Sequence, residues 1–124
     1  MQNVIYPTRS IRVELEVQLE KLAEAMIEAH YDFNFKEMSF LMDQSVISQE
    51  GTFFKEEKFK QVCETLKNNC GKLISIESLG ILNKVDSLQT LWKVKYSETE
   101  REMLWQMIVT DQSGEYKIVS MSVN

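Results

Sequence analysis

His30 is the single histidine of a 124-residue chain, and Asp32 follows it by two positions. An imidazole of ordinary pKa, about 6.5, suits a general base near neutral pH, and a neighbouring carboxylate is a second group able to move a proton. Both residue types also have plainer uses. A histidine at a helix end commonly bonds a backbone carbonyl or water, and an aspartate at a helix boundary commonly makes a turn or cap. Tyr96 is the third catalytic candidate, because its hydroxyl could orient a ligand. Its place beside an expected hairpin turn puts it near a rim.

The two cysteines, Cys63 and Cys70, fall within one helical pattern. On a helix they stand roughly 10 Å apart, beyond the reach of about 7 Å for the Cα atoms of a disulfide. They read as free, buried core thiols, which suits a reducing compartment. With one histidine and no Cys-x-x-Cys pair, no metal site is expected, and nothing in the sequence asks for a cofactor. No Ser-His-Asp order, phosphate loop or paired-carboxylate motif stands out either.

The elements that must position these residues follow from apolar periodicity. Residues 1–8 read as an extended lead-in containing Pro7. A long helix is expected over roughly 9–31, since Ile11, Leu15, Leu19, Leu22, Met26, Ala29 and His30 fall in one stripe at about 100° per residue. Val13 and Val17 project to the opposite side. Asn34, with Glu37 three residues on, resembles a capping box and opens a short second helix through Met42. Val46–Ser48 reads as a brief strand and residues 49–52 as a turn. A third helix is expected from Thr52, Phe54 or Lys55 to Asn69, with Gly71 just past its end.

Four longer strands complete the chain. Residues 72–82 form the first, with Gly80 marking a bulge. Leu88–Tyr96, Met103–Thr110 and Glu115–Val123 alternate apolar and polar side chains and read as an antiparallel meander. A loop over residues 97–100 sets Trp92 against Trp105 and Val94 against Met103. A type I turn over residues 111–114, with a bulge at Gly114, sets Met107 against Val119, Trp105 against Met121 and Met103 against Val123. The order is that of an α+β fold, with a long N-terminal helix and two shorter helices packed on a curved four-stranded antiparallel sheet plus one short strand.

One sheet face then carries Trp92, Tyr96, Trp105, Met107 and Met121, which either line a small-molecule pocket or simply form core. The other face carries Leu91, Leu104, Ile108, Tyr116 and Ile118. An apolar surface of that extent suggests a partner, and a two-fold homodimer is the expected one.

Composition bounds the function classes. One domain spanning residues 1–124 is expected from the length, and a hydrophobic fraction of 44% with 27% charged residues is ordinary for a globular protein. A net charge of −5 without a basic cluster argues against nucleic-acid binding. The N-terminal residues show no positive and apolar signal pattern, and no apolar run approaches the roughly 18 residues of a membrane span, so a cytoplasmic location without membrane contact is expected.

Several of these stretches together resemble the nuclear-transport-factor-2-like superfamily, also called the cystatin-like or ketosteroid-isomerase-like cone fold. They are Tyr31-Asp32-Phe33, similar to a Gly-Asp-Phe turn between the first two helices of many members; the stretch Phe35–Val46; the run Cys70-Gly71-Lys72-Leu73; and the closing strands around Trp92–Tyr96 and Gly114–Ile118, similar to small bacterial members of unknown function. The chain departs from the pattern at His30, where many members have the glycine. The resemblance covers residues 9–123 and implies a bent sheet wrapped over the first helix, a conical cavity and frequent dimerisation through the open sheet face. It implies no reaction, because members range from isomerases and dehydratases to non-catalytic domains. The leading expectation is a non-catalytic dimerising module able to hold a small apolar ligand. The alternative is an isomerase or dehydratase with His30, Asp32 or Tyr96 in its cavity.

Overall fold

A computed structural model describes residues 9–47 and 55–124, with side chains described from residue 14. Helix α1 runs from Arg9 to Tyr31, the span that the periodicity predicts. Leu19, Ala23, Met26, Ile27, Ala29 and His30 are buried along it, while Val17 stays 42% exposed on the far side. Val13 lies outside the described side chains. The helix ends in a Schellman motif: the Asn34 amide donates to the Ala29 carbonyl at 2.8 Å and the Phe33 amide to the His30 carbonyl at 3.3 Å. Phe33 takes the left-handed position, φ 55°, that glycine usually fills. No helix among the described residues is long and apolar enough to cross a membrane.

Asn34 then caps α2, Phe35–Leu41, by accepting the Glu37 amide at 3.1 Å. The expected short strand at Val46–Ser48 is not formed where it was expected. Gln44–Ile47 instead makes the single-turn helix α3, and an isolated bridge to the sheet lies earlier, where Met42 runs parallel to Ile118. The cause is local: the Asp43 carboxylate accepts the Ser45 amide at 2.8 Å and hydroxyl at 2.7 Å, which favours a helical turn over an extended one. Ser48 and the expected turn over residues 49–52 lie outside the described residues. Helix α4 spans Glu56–Cys70 with Lys55 at its N-cap, and the expected starts at Thr52 and Phe54 lie outside the described residues. It buries Phe59, Cys63 and Cys70 and closes at Gly71, whose φ of 82° suits only glycine well.

The sheet holds strands β1 (Leu73–Asn83), β2 (Leu88–Tyr96), β3 (Met103–Gln112) and β4 (Glu115–Val123) in sequential antiparallel order. The β2–β3 register is the expected one, with Trp92 opposite Trp105 and Val94 opposite Met103. Both edge strands are irregular. Register shifts leave Ile74 and Leu79 unpaired on β1, the latter beside Gly80, and Val119 unpaired on β4. Such bulges bend and twist the strands that carry them, which curves the sheet around α1.

The β3–β4 register differs from expectation by two residues at its far end. Trp105 faces Val123 and Met107 faces Met121, because the turn is a two-residue one. Ser113 and Gly114 both have positive φ, 58° and 87°, the pattern of a type I′ hairpin turn. The bulge sits at Val119 rather than at Gly114. In consequence Ile118, expected on the outer face, pairs with Val109 and is completely buried, and Tyr116 packs half-buried against the core. Leu91, Leu104 and Ile108 do alternate with the buried residues of β2 and β3 and lie half-exposed on the outer face.

Candidate functional site

A cavity of about 510 Å³ opens between α2, α4 and the last residues of β4. Among the described residues it is lined by Met38 of α2, Phe59 and Val62 of α4, Ser120, Met121, Ser122 and Val123 of β4, and His30 of α1. The local sequence explains the wall. Phe59 and Val62 are three residues apart on one face of α4, while β4 contributes four consecutive residues because it is an edge strand with that side unpaired beyond Ile118. A volume of this order suits a small organic molecule.

His30 is the one ionisable side chain among these lining residues, and only 3% of it is exposed. Its Nδ1 lies 2.8 Å from the Met26 carbonyl one turn earlier, a contact that places the proton on Nδ1. The ring packs tilted against Phe59 at 4.8 Å and edge-on to Trp105 at 5.2 Å. Burial pushes the imidazole pKa down to about 4, with the Met26 bond opposing this weakly. At neutral pH the ring is therefore uncharged, and Nε2 presents a lone pair with no partner among the described residues.

Asp32 sits exposed at the capping position of α1 and does not line this cavity. Tyr96 is buried at the other side of His30, and burial raises its hydroxyl pKa to about 12. His30 and Tyr96 share only a gap of about 10 Å³ with Tyr31, Cys63, Leu66, Lys67 and Gly71, too small for a substrate. Of the sheet residues considered as pocket lining, Met121 borders the large cavity. Trp105 and Met107 are packed in the core, and Trp92 floors a separate groove beside Glu16, Glu20 and Gly80. The indole of Trp92 is held by Thr90, whose hydroxyl accepts it at 2.8 Å and donates to the Met107 carbonyl at 3.1 Å.

The lining residues Met38, Phe59, Val62, Ser120, Ser122 and Val123 escape sequence reasoning. Met38 and Phe59 look like ordinary helix core, and the two serines look like the solvated side of a strand. Among the described residues no group of three or more His, Cys, Asp or Glu side chains could hold a metal ion. Cys63 is buried, and desolvation raises its thiol pKa to about 11, which leaves it a poor nucleophile.

No family model matches the sequence, and no curated protein matches it. Solved structures do. A SEC-C motif containing protein from Rhodopseudomonas palustris superposes with a TM-score of 0.56 at 10% identity, over 82% of this chain and 74% of its own. Bd1075 from Bdellovibrio bacteriovorus gives 0.61 at 15% identity over 100% of this chain, which spans only 46% of Bd1075. A designed NTF2-like protein gives 0.56 at 13% identity, covering 86% of this chain and 96% of its own. Together with the curved four-stranded sheet wrapped on α1, these likenesses give this chain the nuclear-transport-factor-2-like cone fold.

Proposed function

We propose that this cone-fold domain is a non-catalytic module that holds a small apolar ligand and pairs with a second copy through the outer face of its sheet. The observation that carries the reading is the makeup of the 510 Å³ cavity: five apolar side chains, two serines and one uncharged histidine. Acid–base catalysis needs at least one group that captures a proton and another that returns it or stabilises the charge formed. His30 is too weakly basic for the first role, and neither Asp32 nor Tyr96 lines the same space. Isomerase or dehydratase chemistry thus has one poor participant.

Dimerisation rests on the outer sheet face, where Leu91, Leu104 and Ile108 remain half-exposed. Lys93 lies among them, bridged to Glu77 of β1 at 2.8 Å and to Glu102 at 3.1 Å. Ligand holding is tested by titrating the protein with naphthalene while following the methyl signals of Met38, Val62, Met121 and Val123. Saturable shifts at these four, with none at Leu91 or Ile108, are expected. Shifts scattered over the surface, or none at all, overturn it.

A further inference from the structure

We propose that the cavity selects a neutral ligand carrying one hydroxyl, an aliphatic alcohol or a phenol, whose O–H donates to Nε2 of His30. This rests on the reading of the cavity as a ligand site and names the chemistry it takes.

The argument starts from what His30 can offer. Its Nδ1–H is engaged by the Met26 carbonyl at 2.8 Å, so the tautomer is fixed by the helix and the remaining ring nitrogen is an acceptor. The ring cannot turn to offer Nδ1 instead. Phe59 at 4.8 Å and Trp105 at 5.2 Å hold its plane, and Trp105 is fully buried. The side chain is 97% withdrawn from solvent by the complement of its 3% exposure, yet it borders the cavity. Nε2 is not among the fully buried polar atoms that lack a partner, so it keeps a little accessible surface, and a donor in the cavity can take the place of water there.

The rest of the lining narrows the ligand. No Lys or Arg is among the described lining residues, so a carboxylate or phosphate would lose its hydration without gaining a counter-charge. The net charge of −5 adds to that penalty. A ketone or ether presents only acceptors and would set a lone pair against a lone pair at Nε2. An amine, protonated near neutral pH, would bring a charge into an apolar space with no carboxylate lining it. A hydroxyl on an apolar body satisfies Nε2, and its own oxygen can accept from Ser120 or Ser122.

The test compares 1-naphthol, 1-methoxynaphthalene, naphthalene and 1-naphthoate, with Kd taken from chemical-shift titration of the wild-type protein near pH 7. One net hydrogen bond corresponds to a preference of about three- to tenfold for naphthol over methoxynaphthalene. In His30→Phe, which keeps an aromatic ring in place, that ratio falls to about one while naphthalene still binds. The wild-type ratio needs no variant and stands even where His30→Phe folds poorly. Naphthoate binding best, or naphthol and methoxynaphthalene binding alike in the wild type, overturns the hydroxyl preference and leaves the cavity reading intact. Failure of all four to move the lining methyls overturns the cavity reading itself.

Discussion

The imidazole of His30 meets the indole of Trp105 edge-on, with ring centroids 5.2 Å apart and planes at 81°. This contact joins the last turn of α1 to the centre of the sheet. It seals one side of the histidine with an aromatic surface that cannot solvate a charge, and Phe59 at 4.8 Å covers another. The depressed pKa of His30 follows from that enclosure, and its ability to accept a hydrogen bond inside an apolar cavity follows from the same depressed pKa.

Stability should therefore fall in mildly acid solution. Burial pushes the folded His30 imidazole down to about 4 from its ordinary value of 6.5. The unfolded chain binds the proton more readily, so the full contribution is present above pH 6.5 and is lost as pH falls towards 4. The loss amounts to about 3 kcal/mol at most by the ratio of 1.36 kcal/mol per pKa unit. Urea midpoints measured from pH 7.5 to 4 should drop more steeply for wild type than for His30→Phe. Equal slopes would remove His30 as the responsible group.

The two tryptophans should respond unequally to loss of their N–H. Trp92 donates to Thr90 at 2.8 Å, whereas the buried Nε1 of Trp105 has no acceptor in hydrogen-bond geometry. Trp92→Phe removes a satisfied bond inside the core and should cost about 1–3 kcal/mol. Trp105→Phe removes an unsatisfied donor along with part of the ring, and the two effects offset, so a change under about 1.5 kcal/mol is expected. Denaturant unfolding of the two variants decides it. A larger cost at Trp105 than at Trp92 would show that its N–H has a partner.

Most of the frame is legible in the sequence for local reasons. The bounds of α1, the Asn34 cap, the Gly71 stop and the Trp92–Trp105 pairing each depend on residues within one element or one short hairpin. The β3–β4 register is less so, because Ser113 resembles a residue of a longer loop and only its φ of 58° reveals a two-residue turn. That choice decides where the bulge falls and which way Ile118 points. The cavity is least legible of all. Its wall draws on α1, α2, α4 and β4, and nothing within any one segment marks Val62 or Ser122 as facing the same space.

Gly71 should tolerate no side chain. At φ 82° it occupies backbone space that other residues avoid, and an added Cβ would lie 2.3 Å from the Glu98 side chain and 2.6 Å from the Ser97 hydroxyl. The Glu98 contact is made near the base of its side chain, and the Lys72 amide holds the Ser97 hydroxyl at 2.8 Å, so the clash adds to the backbone strain. Gly71→Ala should cost about 1–3 kcal/mol. Thermal unfolding measures it, and Glu98→Ala in the same background should recover only a minor part.

Ser113→Asn should raise stability. Asparagine tolerates the left-handed conformation better than serine, and Asn-Gly is the favoured pair of a type I′ turn. The gain should reach up to about 1 kcal/mol. A loss on substitution would mean that the serine hydroxyl contributes more to the turn than its backbone conformation costs.

Ile108, opposite Ser120, and Ile118, opposite Val109, belong to adjacent pairs of the β3–β4 ladder, so they face opposite sides of the sheet and should behave differently. Ile118 is completely buried, so Ile118→Ala should cost about 2–5 kcal/mol in unfolding, as expected for emptying a core site. Ile108 is half-exposed on the outer face, so Ile108→Lys should leave monomer stability within about 1 kcal/mol. If the outer face joins two copies, the same lysine brings two unpaired charges into the contact, one from each copy, because an isologous contact uses each residue twice. Sedimentation velocity at micromolar concentration should then show wild type as a dimer and Ile108→Lys as a monomer. A wild-type monomer would overturn the pairing itself, and a dimer untouched by the lysine would place the contact elsewhere than on this sheet face.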